Sequence, residues 1–180
     1  MPNQKEWDKT FIEIARIMAE KSKCSRLKVG AVITKDNRII GCGYNGTPSG
    51  FINCNEACEN LRDNKEQSEH HLFSEQYEIH AEMNAILDLA KRGLSPEGST
   101  LYTTICPCKN CAKLVIAAGI KRIIFDHYYD RDIESQVTNF NRQIIIDNKR
   151  YFKEYNGADI INLLGHYSKS SIDIEQYHDS

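Results

Sequence analysis

The sequence predicts an α/β fold, a mixed β-sheet covered by helices, in a single domain. Apolar, β-branched runs of strand length alternate with segments whose apolar residues recur at helical spacing. Their order is strand, strand, helix, strand, helix, strand, which implies a mixed sheet rather than a bundle or a sandwich. A length of 180 residues is that of one ordinary domain with one substantial core. The domain is assigned to 1–165 and a polar tail to 166–180.

Trp7, Phe11, Ile14, Ala15 and Met18 recur at helical spacing, with Asp8 near the start and Lys21-Ser22-Lys23 at the end, and predict an amphipathic first helix. Leu27–Thr34 and Arg38–Tyr44 are apolar runs joined through Lys35-Asp36-Asn37, turn chemistry that predicts an antiparallel hairpin. Residues 45–78 hold glycines, Pro48, two cysteines and a highly polar stretch, and predict a long loop with at most one short helix. A loop of that length needs a function or an internal tether, because otherwise nothing offsets its ordering entropy. His80–Arg92 reads as a helix ended by Gly93, Thr100–Ile105 as a strand, Lys109–Ala118 as a helix closed by Gly119, and Arg122–Asp126 as a buried strand. Beyond Tyr129 the pattern weakens to a helix over 141–155, a last strand over 158–163 and the polar tail.

Composition narrows the function. With 41% hydrophobic and 27% charged residues the chain is neither disordered nor collagen-like. No apolar run approaches the about 18 residues of a membrane span, and Met1–Asp8 lacks a signal-peptide pattern, so a cytoplasmic protein without membrane contact is expected. The balance of 23 Lys plus Arg against 25 Asp plus Glu offers no surplus for a polyanion, which favours small substrates over nucleic acid polymers. Seven cysteines, an odd number in a reducing compartment, are read first as metal or catalytic chemistry.

His80-Ala81-Glu82 opens one predicted helix and Pro107-Cys108-Lys109-Asn110-Cys111 opens another. One imidazole and two thiolates are three ligands for a tetrahedral Zn²⁺ and leave a fourth position open, which marks a catalytic rather than a closed structural site. Cys108 and Cys111 lie within one turn at a helix N-terminus, where unpaired N–H groups favour thiolate. Zinc so held lowers the pKa of its water to about 7 and supplies a nucleophile at neutral pH. Glu82 is not needed as a ligand and stands where it can move protons. The pattern H-x-E followed by P-C-x-x-C resembles that of the zinc deaminases, which implies a cytosine-like amidine carbon as the electrophile and ammonia as the leaving group. Singly, each residue has a plainer reading as a helix cap, a solvated carboxylate or a buried thiol, but the paired halves favour the metal site. Cys106 is expected to face the core.

His80-Ala-Glu-Met-Asn-Ala-Ile, Pro107-Cys-Lys-Asn-Cys-Ala-Lys, Lys28-Val-Gly-Ala-Val-Ile and Gly43-Tyr-Asn-Gly-Thr-Pro-Ser-Gly together resemble the deoxycytidylate deaminase branch of the cytidine deaminase superfamily, including its phage-type members. The resemblance covers roughly residues 7–130. It implies a five-stranded mixed sheet sandwiched by helices, zinc-dependent conversion of dCMP to dUMP for thymidylate synthesis, and a homohexamer. It also implies activation by dCTP and inhibition by dTTP, with Mg²⁺ accompanying the triphosphate, and an effector site near Tyr44 and Gly46. It assigns Asn45, Ala81 and Tyr129 to substrate, with Asn45 on the deoxyribose and Tyr129 closing over it; an amide beside Gly46 equally suits a left-handed turn. Arg26, with Lys28 ranked below it and Ser49 adding a donor, is the candidate for the phosphate, although Arg26 and Lys28 also read as a solvated pair.

A second zinc would supply the tether for the long loop. Cys24, Cys54, His70 and Glu78 are four suitable ligands from three chain segments, and they fall where the resemblance would put a second site. Cys58 and His71 are kept as substitutes. Competing functions are a tRNA adenosine deaminase, which needs a basic face, a deaminase of another nucleotide such as dCTP, a riboflavin-pathway deaminase, and a non-catalytic zinc-stabilised binding module, which has no use for Glu82.

Overall fold

The computed structural model describes residues 3–57, 66–127 and 173–178. In chain order the elements are α1 (Gln4–Ala19), β1 (Gly30–Lys35), β2 (Arg38–Tyr44), α2 (Cys54–Ala57), α3 (Glu66–Tyr77), α4 (Ala81–Lys91), β3 (Thr100–Ile105), α5 (Lys109–Ala117), β4 (Arg122–His127) and β5 (Asp173–Gln176). The five strands form one mixed sheet in the order β2-β1-β3-β4-β5. Strands β1 and β2 and strands β1 and β3 pair antiparallel, whereas β4 runs parallel to both β3 and β5. This is the predicted mixed sheet with helices on both faces.

Helix α1 begins earlier than the position of Asp8 suggests. Asn3 is its N-cap and forms a capping box with Glu6, which satisfies two of the first-turn amides. Phe11, Ile12 and Ala15 then pack on Val32, Tyr102 and Ile124 to make the core of one face. On the other face Ala81, Ala85 and Leu89 of α4 and Ala112 and Val115 of α5 pack on Ala31, Ile33, Leu101 and Ile123. The β1–β2 hairpin turns through Asp36 and Asn37, both left-handed (φ 51° and 56°), the pairing whose twist matches that of the flanking strands.

Helix α4 lies flush on the end of β2. A Cβ on Gly43 would stand 2.5 Å from the Ala81 carbonyl oxygen, so only glycine permits this approach. The close contact fixes the first turn of α4 beside the end of β2.

Two expectations are corrected. The segment read as a loop contains two helices, α2 and α3. Helix α3 escaped notice because its sequence has no apolar stripe; it reaches the core through His70 and Phe73, which meet the buried Cys24 and Cys54. The tail is not wholly a tail, since Asp173–Gln176 forms β5. That strand has a single apolar residue, Ile174, packed against the helix α4 and α5 side of the core, too weak a pattern to read. The predicted helix at 141–155 and strand at 158–163 lie outside the described residues.

Asp8 is a buried ion-pair partner rather than a helix-start signal. Its carboxylate accepts from both terminal nitrogens of Arg122 (2.7 and 2.8 Å), from the Tyr102 hydroxyl (2.6 Å) and from Gln4 (3.0 Å). Burial alone pushes its pKa up, but the bonds from Arg122, Tyr102 and Gln4 together outweigh burial and hold it below the ordinary value of 3.8. Asp8→Asn is expected to lower stability by about 2 kcal/mol at neutral pH, the cost of a broken buried pair discounted for the partial exposure of Arg122. A carboxyl with a depressed folded pKa stabilises above its unfolded pKa and loses that contribution as pH falls through the folded value. The denaturation midpoints of wild type and variant should therefore converge below about pH 4; a gap that persists in acid would contradict the ion-pair account.

Candidate functional site

His80 and Cys108 are the N-caps of α4 and α5, both in extended conformation (φ −65°, ψ 155° and φ −67°, ψ 165°). The His80 ring makes no capping bond to its own helix, so its Nδ1 is turned toward the neighbouring helix start. It lies 3.5 Å from Cys108 Sγ and 3.4 Å from Cys111 Sγ. The three donor atoms fall within 4.8 Å of one another. Tetrahedral zinc bonds of about 2.0 Å to nitrogen and about 2.3 Å to sulfur separate N and S by about 3.5 Å, so the donor set has the spacing the ion requires. The backbone N–H of Cys111 also points at Cys108 Sγ (3.5 Å), a helix-terminus donor that favours thiolate.

The titratable groups of the site perturb one another strongly. The Cys108 thiol is pulled down to about 3, chiefly by the Cys111 side chain and then by His80. Cys111 is pushed up, chiefly by the Cys108 sulfur and then by burial. His80 is raised to about 9 by its bond to Cys108. Glu82, on the first turn of α4, is only 3% exposed, and burial raises its pKa above the ordinary carboxyl range. A buried carboxyl held ready to be protonated, next to a three-ligand cluster, can accept and return a proton during a reaction.

Cys24, Cys54 and His70 form a second cluster. His70 Nε2 of α3 stands 3.4 Å from Cys24 Sγ and 3.2 Å from Cys54 Sγ, and the two sulfurs are 4.0 Å apart. All three residues are buried. Burial pushes the Cys24 thiol up to about 11 and lowers His70. Glu78 acts electrostatically on both Cys24 and His70. One of its oxygens accepts from Ser74 (2.7 Å), while the other, Oε1, is buried and has no hydrogen-bond partner among the described residues. Glu78 is not among the three converging donors, but its orphaned oxygen and its electrostatic influence on Cys24 and His70 make it the candidate fourth ligand. His71, the substitute for His70, is exposed and faces Glu75, and Cys58 lies outside the described residues.

The remaining candidates are distributed unevenly. Asn45 is buried and is not a left-handed turn residue. Its Oδ1 accepts from the Val29 amide (2.8 Å) and its Nδ2 donates to the Leu27 carbonyl (2.9 Å), so its amide closes the entry to β1. Ala81 is fully buried at the start of α4. Gly46 pairs with Ile79 in an isolated bridge, which brings the 44–46 turn against the residue preceding His80. Tyr44, Arg26, Lys28 and Ser49 are exposed, and Tyr129 lies outside the described residues. Cys106 is half-buried and belongs to neither cluster.

Two residues with no role in the sequence reading tie these parts together. The Ser22 hydroxyl donates to the Asn45 carbonyl (2.8 Å) and accepts from the Cys24 amide (3.2 Å). The Asn84 amide donates to the Tyr44 carbonyl (2.8 Å) and the Ile79 carbonyl (3.3 Å). Neither residue has a periodic signal: Ser22 lies in the polar run at the predicted end of the first helix, and Asn84 in the His80-Ala-Glu-Met-Asn-Ala-Ile motif.

Residues 5–127 match the family described as the cytidine and deoxycytidylate deaminase zinc-binding region. The chain is 38% identical over 152 residues to the deoxycytidylate deaminase of Enterobacteria phage T2, covering 68% of this chain and 81% of that protein. It is 37% identical over 134 residues to the human deoxycytidylate deaminase, covering 71% and 69%. Among solved structures it is similar to the dCMP deaminase of the cyanophage S-TIM5 in complex with dCMP and dUMP, with a TM-score of 0.67, 26% identity and coverage of 98% of this chain and 99% of that one.

Proposed function

Because the chain belongs to the cytidine and deoxycytidylate deaminase family, and is a hydrolytic deaminase, we propose that it converts dCMP and water to dUMP and ammonia. The observation that carries this reading is the buried Glu82 beside the converging His80, Cys108 and Cys111, on a fold similar to that of a phage enzyme bound to dCMP and dUMP.

His80, Cys108 and Cys111 hold the catalytic zinc. Glu82 takes a proton from the attacking water and delivers it to N3 of the cytosine ring as the oxygen adds at C4. It then takes the remaining proton from the C4 hydroxyl and passes it to the exocyclic nitrogen, so that the C4=O bond forms as the C4–N bond breaks and ammonia leaves. The burial that raises the Glu82 pKa matches this task, since a carboxyl that both accepts and returns a proton works best when neither form is strongly favoured. Asn45 meets the deoxyribose with the hydrogen-bonding capacity left over from its two backbone bonds, Ala81 lines the base, and Tyr129 covers it. The exposed Arg26 takes the phosphate with Ser49, and Lys28 stands nearby.

Several finer features are part of the same reading. Cys24, Cys54 and His70 hold a second, structural zinc with Glu78 as the fourth ligand, supported by the spacing of the first three and by the orphaned Glu78 oxygen. The enzyme is a cytoplasmic homohexamer of one domain over 1–165 that supplies dUMP for thymidylate synthesis. Among the described residues no helix is long and apolar enough to cross a membrane. In the proposed regulation dCTP, with Mg²⁺, activates and dTTP inhibits through the Tyr44–Gly46 turn.

Ammonia release tests the substrate: dCMP should be turned over in preference to deoxycytidine, dCTP and a tRNA anticodon stem-loop. A preference for the stem-loop or for dCTP would replace this assignment. For regulation, dCTP should raise and dTTP lower the initial rate at subsaturating dCMP, each acting through its differential affinity for two states of the oligomer. Rates indifferent to both would remove the allosteric part and leave the deaminase.

A further inference from the structure

We propose that Asn84 is a positioning residue for the reaction: its side-chain amide clamps the Tyr44–Gly46 turn to the segment that carries His80. Asn84 lies on α4 two residues after Glu82, so its side chain shares the rigid first turns of the helix that carries the proton carrier. Its Nδ2 donates both to the Tyr44 carbonyl at the end of β2 and to the Ile79 carbonyl just before His80. The Ile79 carbonyl also accepts from the Gly46 amide (3.1 Å), and the Ile79 amide donates back to Gly46 (2.9 Å). Three chain segments are thus joined around one carbonyl: the turn that holds Asn45, the approach to His80, and the helix of Glu82.

The geometry gives this junction a specific consequence. The Gly46–Ile79 bridge is isolated, with no further ladder to hold it, so the Asn84 amide is its lateral support. Gly43 brings α4 into backbone contact with β2 but controls only the separation of helix and strand. Asn84 adds the directional bonds that set where the 44–46 turn stands along the helix. Asn45, whose own amide is tied to Val29 and Leu27, is carried between the two anchors. This proposal rests on the functional reading above for its kinetic consequence, but not for the clamp itself.

The test compares Asn84→Ala and Asn84→Asp with Arg92→Ala in the full-length protein. Asn84→Asp keeps the shape but replaces two donated bonds with a carboxylate facing two carbonyls. Arg92, at the far end of the same helix, also bonds across to β2, at the Ile40 carbonyl, and controls for general loosening of α4 on the strand. Amide hydrogen exchange at Gly46 and Ile79 should accelerate about 25-fold in both Asn84 variants, since each of the two lost hydrogen bonds is worth about a factor of five, and should be unchanged in Arg92→Ala. Both Asn84 variants should keep wild-type zinc content, with KM for dCMP raised about tenfold and kcat changed much less. Arg92→Ala should leave both within about twofold, the range expected of a surface change. Exchange at Gly46 and Ile79 that is unaltered in both variants overturns the clamp, whatever the substrate. Accelerated exchange with KM and kcat both unchanged overturns the positioning role. A wild type that does not deaminate dCMP defeats the substrate assignment instead, and the exchange measurement still decides the clamp.

Discussion

Glu82→Gln is expected to retain its catalytic zinc and its fold while kcat falls by about 10² to 10⁴, the range typical of removing a general acid-base group. Glutamine has nearly the same volume as glutamic acid, so the 3% exposed position is neither emptied nor overpacked. What it cannot do is carry a proton between water, ring nitrogen and leaving amine. The side chain is not among the three converging donors, so metal content measured on the purified variant should match wild type. A loss of zinc would make Glu82 structural, and turnover within a few-fold of wild type would remove it from the mechanism.

Cys54→Ser is the second large effect. The wild-type chain should contain about two zinc ions and the variant about one, because a hydroxyl is a far poorer ligand than a thiolate at this site. The Cys24, Cys54 and His70 cluster joins the end of α1, helix α2 and helix α3, so its loss should release the whole 45–78 segment. A melting temperature lower by about 10 °C is expected, from about 3 kcal/mol lost in a chain for which each kcal/mol is worth about 2–4 °C. Cys111→Ser should also lose one zinc, but with a larger fall in activity than in stability. One zinc per chain in the wild type, or a Cys54→Ser variant as stable as its parent, would refute the second site.

The sites illustrate what spacing in a sequence can carry. His80, Glu82, Cys108 and Cys111 were legible because each half of the motif lies within one helical turn at a helix start, although His80 meets the two cysteines only across 28 and 31 positions of the folded chain. The hairpin was legible for the same reason, since Asp36-Asn37 encodes its own turn. Cys24, Cys54, His70 and Glu78 could be nominated by residue type, but not by distance, because separate segments must meet before Cys24, Cys54 and His70 become neighbours.

By itself the sequence determined the mixed sheet, the helix boundaries at residues 80 and 108, and the zinc deaminase motif, all of which rest on periodicities and contacts within a few residues. Only the tertiary structure decided the rest. Asp8 and Arg122 are 114 positions apart, and nothing near either residue announces the partner that keeps it buried. Helix α3 and strand β5 have little apolar pattern of their own and exist because His70, Phe73 and Ile174 find surfaces made elsewhere in the chain. Ser22 and Asn84 acquire their roles in the same way: a side-chain hydrogen bond to a distant carbonyl has a partner without a residue type, since every residue carries that acceptor, so no pattern of amino acids can record it.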